Sequence, residues 1–248
     1  MITVKTKHEV SLMADAGKIA AQALLVGGEA AKPGVTTAHV DREIERFIRA
    51  QNAIPSFLGY GGFPASACIS VNNTVIHGIP GDYVIKPDDI VSIDVGAIYK
   101  DVHGDNAATF AMPEAPEEAR ALMKVTEECL EKGIAAALKG GRIGDISHAV
   151  QEYAEAAGYG VVRAFVGHGI GHEMHEDPEV PNFGRAGHGP RLVSGMTIAI
   201  EPMINQFSPD VRVLEDGWTV LTVDGGLSAH FENTIVITDN GPIILTTP

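Results

Sequence analysis

Five residues far apart on the chain, Asp94, Asp105, His168, Glu201 and Glu232, have the composition of a metal site. They stand in the stretches VSIDVG, HGDNAATF, GHGIGH, IAIEPM and HFENTIVIT, each apolar or glycine-rich rather than generally charged. A carboxylate buried alone in such surroundings costs several kcal/mol or takes up a proton. Taken singly, each acid reads equally well as a turn or strand-end charge, since aspartate is depleted in strand interiors and favoured in turns. Four carboxylates with one imidazole suit a pair of divalent cations, with carboxylates shared between them. The chemistry this implies is hydrolysis at a two-metal centre.

In GHGIGHEMHEDP the histidines 168, 172 and 175 recur at i, i+4 and i+7, a helical spacing. Gly169 and Gly171 argue against a helix, because each costs ~1 kcal/mol relative to alanine in a helix interior. HEMH is also one residue short of the HExxH zinc-protease motif. A strand or loop is therefore expected, offering His168 and His175 from separate points. His77, in IHGIP, is a candidate for polarising a substrate, whereas His103, His172 and His188 read as hydrogen-bonded structural imidazoles. Nucleophile chemistry has little support. There is no GxSxG and no P-loop, Cys68 has no motif context, and Pro64 in GYGGFP stands where an anion-binding loop needs a helix start.

The elements that must position these residues are legible as alternating textures. Residues 8–31 have the alanine and leucine content of a helix. In TTAHVDREIERFIRAQ, Val40, Ile44, Phe47 and Ile48 recur with helical period behind a threonine cap. A third helix is predicted from Pro116 to Gly140-Gly141, and a fourth from about Asp145 to Gly158. Between and after them lie short β-branched runs: CISV, DIVSIDVGAI and AATFAM, then VVRAFVG, MTIAIEP, WTVLTV and ENTIVIT. A turn near 99–101 places Asp94 and Asp105 on one side of a hairpin.

The order helices, strands, helices, strands suggests a repeat. A shift of 107 residues lays Asp94 on Glu201, one of 127 lays Asp105 on Glu232, and one of 106 lays Val40, Ile44 and Phe47 on Ile146, Val150 and Tyr153. An acid kept at both matched positions is expected if the two halves share one site across a pseudo-two-fold. No linker separates the halves, so residues 1–248 read as a single domain duplicated over about 8–112 and 116–240.

Whole-chain properties narrow the function classes. The net charge of −14 argues against nucleic acid as a partner, since phosphate binding needs a basic face. Two cysteines without CxxC spacing suit a reducing compartment. The N-terminus lacks the apolar core of a signal peptide, and no unbroken apolar run approaches the ~20 residues that span a bilayer. A soluble cytoplasmic protein is expected.

The strings FLGYGGFP, CISVNNTVIHGIP, IVSIDVG, HGD, GHGIGHEMHEDP, GMTIAIEPM, DGWTV and FENTIVIT together resemble the type I methionine aminopeptidases of the bacterial kind, over roughly residues 8–247. That resemblance implies an α+β pita-bread fold, two pseudo-symmetric αβ halves around a curved antiparallel sheet. It implies removal of the initiator methionine from nascent polypeptides, with a small second residue. Asp94, Asp105, His168, Glu201 and Glu232 would hold two divalent ions (Co, Mn, Fe or Zn), Glu201 doubling as general base. His77 and His175 would contact substrate; Tyr60, Phe63, Cys68 and Trp218 would line the methionine pocket, with Phe57 and Met174 nearby. The partners implied are nascent N-termini, with ribosome contact left open, and the chain is expected to be a monomer. Departures from the family's usual strings occur at Gly61, Met174, His230 and Asn233, and bear on pocket shape and metal preference. Two other readings share the fold: a proline-directed peptidase and a non-catalytic binding protein that has lost its ligands, although here the ligand set is complete.

Overall fold

The structure, a computed structural model, describes residues 2–248. Helix α1 (Lys7–Ala30) begins with a capping box: the Thr6 hydroxyl accepts the Glu9 N–H at 3.3 Å, and the Glu9 carboxylate accepts the Thr6 N–H at 2.7 Å. Among the described residues it is the one helix long and apolar enough to cross a membrane by composition. Its apolar face is instead buried against the sheet, where Met13, Ala16, Ala20 and Ala23 are inaccessible to solvent. Small residues on that face allow close approach. A Cβ on Gly104 would lie 2.6 Å from the Cα of Gly17, so helix and strand touch backbone to backbone.

Helix α2 (Thr37–Ala50) is capped by the Thr36 hydroxyl and buries Val40, Ile44 and Ile48, the stripe its sequence period predicts. Helix α3 (Glu117–Ala136) ends short of the expected Gly140-Gly141. Buried Ala137 closes it, and Gly140, at φ 89°, turns the chain so that its N–H donates to Leu192 O. Helix α4 (Ile143–Ala156) starts two residues before Asp145, whose carboxylate accepts the Arg142 N–H at 2.7 Å and caps the first turn.

The main sheet runs in the spatial order Ile54–Pro55, Ile90–Tyr99, Val102–Ala111, Glu232–Thr238, Thr197–Ile200, Gly167–Gly169 and Glu176–Val180, all pairs antiparallel. Ala67–Val71 also pairs with Ile90–Tyr99, and Gly241–Ile244 with Glu232–Thr238. The Ile90–Tyr99 hairpin closes through Lys100 and Asp101, both at positive φ as a tight hairpin turn needs.

Alternation then decides the faces. Ile93 and Val95 pack with α1 and α2 through Ile19, Leu24, Ile44 and Ile48. Ile198, Ile200, Ile235 and Ile237 pack with Ile143 and Ile146 of α4 and Leu130 of α3. Each helix pair thus covers the same sheet face on its own half, and the residues between those isoleucines and valines point the other way.

Candidate metal centre

The acids lie on that other face: Asp94 stands between Ile93 and Val95, Glu201 is one residue past Ile200, and Glu232 is three residues before Ile235. Asp94 lies opposite Ala107, and Ala107 opposite Glu232. The next register step from the Asn233–Ile200 pair sets Glu232 beside Glu201. Asp105 lies opposite Gly96, two residues from Asp94 and therefore on its face. Four strands deliver four carboxylates to one patch, as the hairpin geometry predicts for Asp94 and Asp105. Thr234 locks the middle of the row: its hydroxyl accepts the Asp105 N–H at 3.1 Å and donates to the Asp105 carbonyl at 2.9 Å.

His168 sits on the strand Gly167–Gly169, not on a helix, as its glycines predict. Its Nδ1 donates to the Gly169 carbonyl at 2.9 Å, because a carbonyl can only accept, and Nε2 is left with a lone pair. Nε2 faces Asp105 Oδ2 at 3.7 Å and Glu201 Oε1 at 3.6 Å. Burial, with the neighbouring His175, lowers the His168 pKa to about 3, so the ring is neutral. Acceptors therefore confront acceptors.

No lysine or arginine pairs with the four carboxylates among the described residues. Asp94 Oδ1, Asp105 Oδ1, Glu232 Oε1 and His230 Nε2 are buried without a hydrogen-bond partner. Burial pushes the Asp94 carboxyl up to about 7, and burial with mutual repulsion raises Asp105, Glu201 and Glu232 well above the usual range. Oxygen and imidazole ligand atoms of Asp105, His168 and Glu232 lie within 4.8 Å of one another. Such a cluster is the donor set of hard or borderline divalent cations, and it fits them.

The same patch floors a cavity of about 130 Å³. Its other walls are Phe57, Tyr60, Phe63, Cys68, His77, Met174, His175 and Trp218. Every site residue expected from sequence therefore lines one space. Phe63 meets Trp218 edge to face at 5.2 Å between centroids, and Phe57, Cys68 and Met174 complete an apolar cluster with them. The volume equals roughly four waters, the scale of one unbranched side chain. Cys68 is buried and its thiol pushed up by burial and the nearby carboxyls, which makes it an inert wall.

His77 projects from a backbone at φ 56°, an uncommon conformation for a non-glycine residue. Its ring packs edge-on to Phe165 and Trp218 at 5.7 and 6.2 Å, and burial, with His175 second, lowers its pKa to about 4. The His175 ring lies 4.2 Å from that of His168. Its Nδ1 is 2.7 Å from the Tyr60 hydroxyl, a bond the sequence did not announce, since Tyr60 reads there only as a pocket wall. His230 was visible as a departure from a common string, but its buried, unpartnered Nε2, 3.8 Å from Glu201, emerges only in three dimensions.

The three histidines read from sequence as structural imidazoles are all hydrogen-bonded within the protein. His103 bonds Ser56, His188 bonds the Ala186 carbonyl, and His172 bonds both the Asp101 carbonyl and Glu9. Both His172 nitrogens donate, which raises its pKa.

The pattern of metallopeptidase family M24 matches residues 11–239. The methionine aminopeptidase of Clostridium acetobutylicum is 57% identical over 247 residues, 99% of each chain. Methionine aminopeptidase 1 of Bacillus subtilis is 49% identical over 246 residues, again 99% of each. Among solved structures, methionine aminopeptidase from Thermotoga maritima superposes with TM-score 0.98 at 46% identity, covering 100% of both chains. Prolidase from Pyrococcus furiosus superposes with TM-score 0.81 at 25% identity, covering 99% of this chain and 65% of that one. These neighbours share the pita-bread fold, and this chain has it.

Proposed function

The chain belongs to metallopeptidase family M24, and from that premise we propose that it removes the N-terminal methionine of nascent proteins and peptides whose second residue is small. One observation carries the reading. Unpartnered carboxylates and a neutral imidazole lie on the floor of a cavity whose walls fit a single thioether.

Family membership makes it a user of divalent metal. We assign two ions to Asp94, Asp105, His168, Glu201 and Glu232, and leave Mn, Fe, Co and Zn as candidates, since oxygen donors with one imidazole admit all of them. When bound, the ions supply Lewis acidity and lower the pKa of water. Glu201, at the end of its strand and beside both His168 and His230, takes the proton of the attacking water and passes it to the leaving amine. We assign the Tyr60 hydroxyl as the donor to His175 Nδ1, the tautomer that leaves the His175 Nε2 hydrogen for the scissile carbonyl oxygen. His77, neutral at the rim, holds the peptide backbone beyond the cut. Phe57, Phe63, Cys68, Met174 and Trp218 exclude water around the methionine side chain.

Nascent N-termini are the macromolecular partners in this reading. We place a single-domain monomer, built by internal duplication, in the cytoplasm, where both cysteines stay free and buried. The test is to strip the metal, restore each candidate ion in turn, and assay release from Met-Gly, Met-Lys, Leu-Gly and Pro-Gly peptides. Metal-dependent cleavage of Met-Gly above the other three is expected. Preference for Pro-Gly would replace this reading with the proline-directed one, and no cleavage under any ion would favour a binding protein.

A further inference from the structure

Lys5 is buried, with its side chain 4% exposed, a state lysines adopt almost only when paired. It lies in the segment preceding α1, where its backbone N–H donates to Gly195 O at 2.7 Å. Its Nζ reaches Glu176 Oε2 at 2.5 Å, and the Thr3 hydroxyl donates to the same carboxylate oxygen. Gly171 makes the room: a Cβ there would collide with Lys5 Cε and lie 2.6 Å from Nζ. The other oxygen, Glu176 Oε1, accepts the Glu173 N–H at 3.3 Å. The Gly171 N–H donates to Glu173 O at 3.1 Å, and Gly171 O accepts the His103 N–H at 2.8 Å. The turn 171–176 is thus closed around Glu176, and Lys5 fastens it from behind.

His175 is the residue before Glu176, where the strand Glu176–Val180 begins. His175 closes the bend 171–175 that Glu176 ties down, and it lines the cavity, where Tyr60 meets its Nδ1. Burial by itself would raise the Glu176 carboxyl, but bonds from Lys5, Thr3 and the Glu173 N–H outweigh it and hold the group below its ordinary value. The pair therefore stays charged. A buried ion pair is a weak source of stability compared with apolar residues of the same size, whereas it fixes direction well.

We infer that Lys5 is a positioning residue: acting through Glu176, it holds the His175 imidazole in register with the scissile peptide, so the segment before α1 belongs to the working active site. This rests on the reading that His175 touches substrate.

The test uses the full chain loaded with Mn(II). Lys5→Met should lower kcat on a Met-Gly peptide about tenfold or more, the scale of a displaced catalytic group. KM should move much less, and Mn(II) affinity by calorimetry should stay unchanged. In a His175→Ala background, Lys5→Met should cost no further turnover. If the lone Glu176 charge prevents folding, Lys5→Met/Glu176→Gln removes it; stability should recover while kcat stays low. An equal loss in both backgrounds, a fall in Mn(II) affinity, or turnover that recovers with stability in the double variant would each overturn the positioning role. Full turnover by His175→Ala would instead overturn the role of His175, and the Lys5 proposal with it.

Discussion

A carboxylate in a sheet interior is tolerable only if something neutralises it, and among the described residues no lysine or arginine pairs with Asp94, Asp105, Glu201 or Glu232. Asp94, Asp105 and Glu232 each leave one oxygen unbonded. Replacing any of them with alanine should abolish methionine release and lower the metal content measured by atomic emission, because the remaining donors under-neutralise the cations. Full activity at unchanged metal content in any one variant would dismantle the two-ion assignment. The role proposed for His175 is on substrate rather than metal. His175→Ala should cut turnover by ~10²-fold, on the scale of a lost oxyanion donor, while metal content holds. If metal is lost as well, His175 is a ligand and the site must be redrawn. In the proposed methionine pocket, selection is by shape: one methylene is worth only ~1–3 kcal/mol in such a space. Norleucine should therefore be cleaved, and β-branched valine refused, in a competition between otherwise identical peptides.

The proposed ligands depend on the elements beneath them, and α1 meets the strand Val102–Ala111 backbone to backbone. Gly17 and Gly104 meet with no space for a methyl group, and Asp105 is the next residue along that strand. Gly104→Ala should destabilise the fold by ~1–3 kcal/mol through overpacking, visible in denaturant unfolding. It should also weaken divalent-metal binding, since the strand carries Asp105 outward as it yields. A Gly104→Ala protein with lowered stability but unaltered metal affinity would show that Thr234, which grips both backbone groups of Asp105, holds the ligand independently of the helix.

On the scale of the whole molecule, the site makes the metal-free chain sensitive to pH in a fixed direction. Its carboxyls titrate higher folded than unfolded: Asp94 moves from 3.8 to about 7, and Asp105, Glu201 and Glu232 move the same way. The folded state then binds more protons than the unfolded one between those values, so stability falls as pH rises from about 4 to about 7. The contribution is complete below the unfolded pKa and lost above the folded one. Thermal unfolding of the chelated protein should show a melting temperature that declines over this window, and added Mn(II) should reverse the decline by binding the ionised carboxylates. A melting temperature that rises with pH across the same window in the absence of metal would contradict the buried, unpaired state of these groups.

What the chain determined by itself was local. Residue type showed acids where apolar residues belong, alanine and leucine content gave α1, helical period and a threonine cap gave α2, Pro116 gave the start of α3, and glycines denied His168 a helix. Matched acids at two shifts pointed to a shared site. These features need only neighbours in sequence, because propensity, capping and periodicity act over a few residues. Tertiary structure decided what depends on strand register and on packing between distant segments. It set Asp94, Glu232 and Glu201 in one row across the sheet, ended α3 at Ala136 where Gly140 meets Leu192, and joined Tyr60 to His175 over 115 residues. It also brought Lys5 to Glu176 across 171 residues. A lone lysine near the N-terminus carries no local pattern that names its partner, since only the folded chain removes it from water and leaves a single carboxylate within reach.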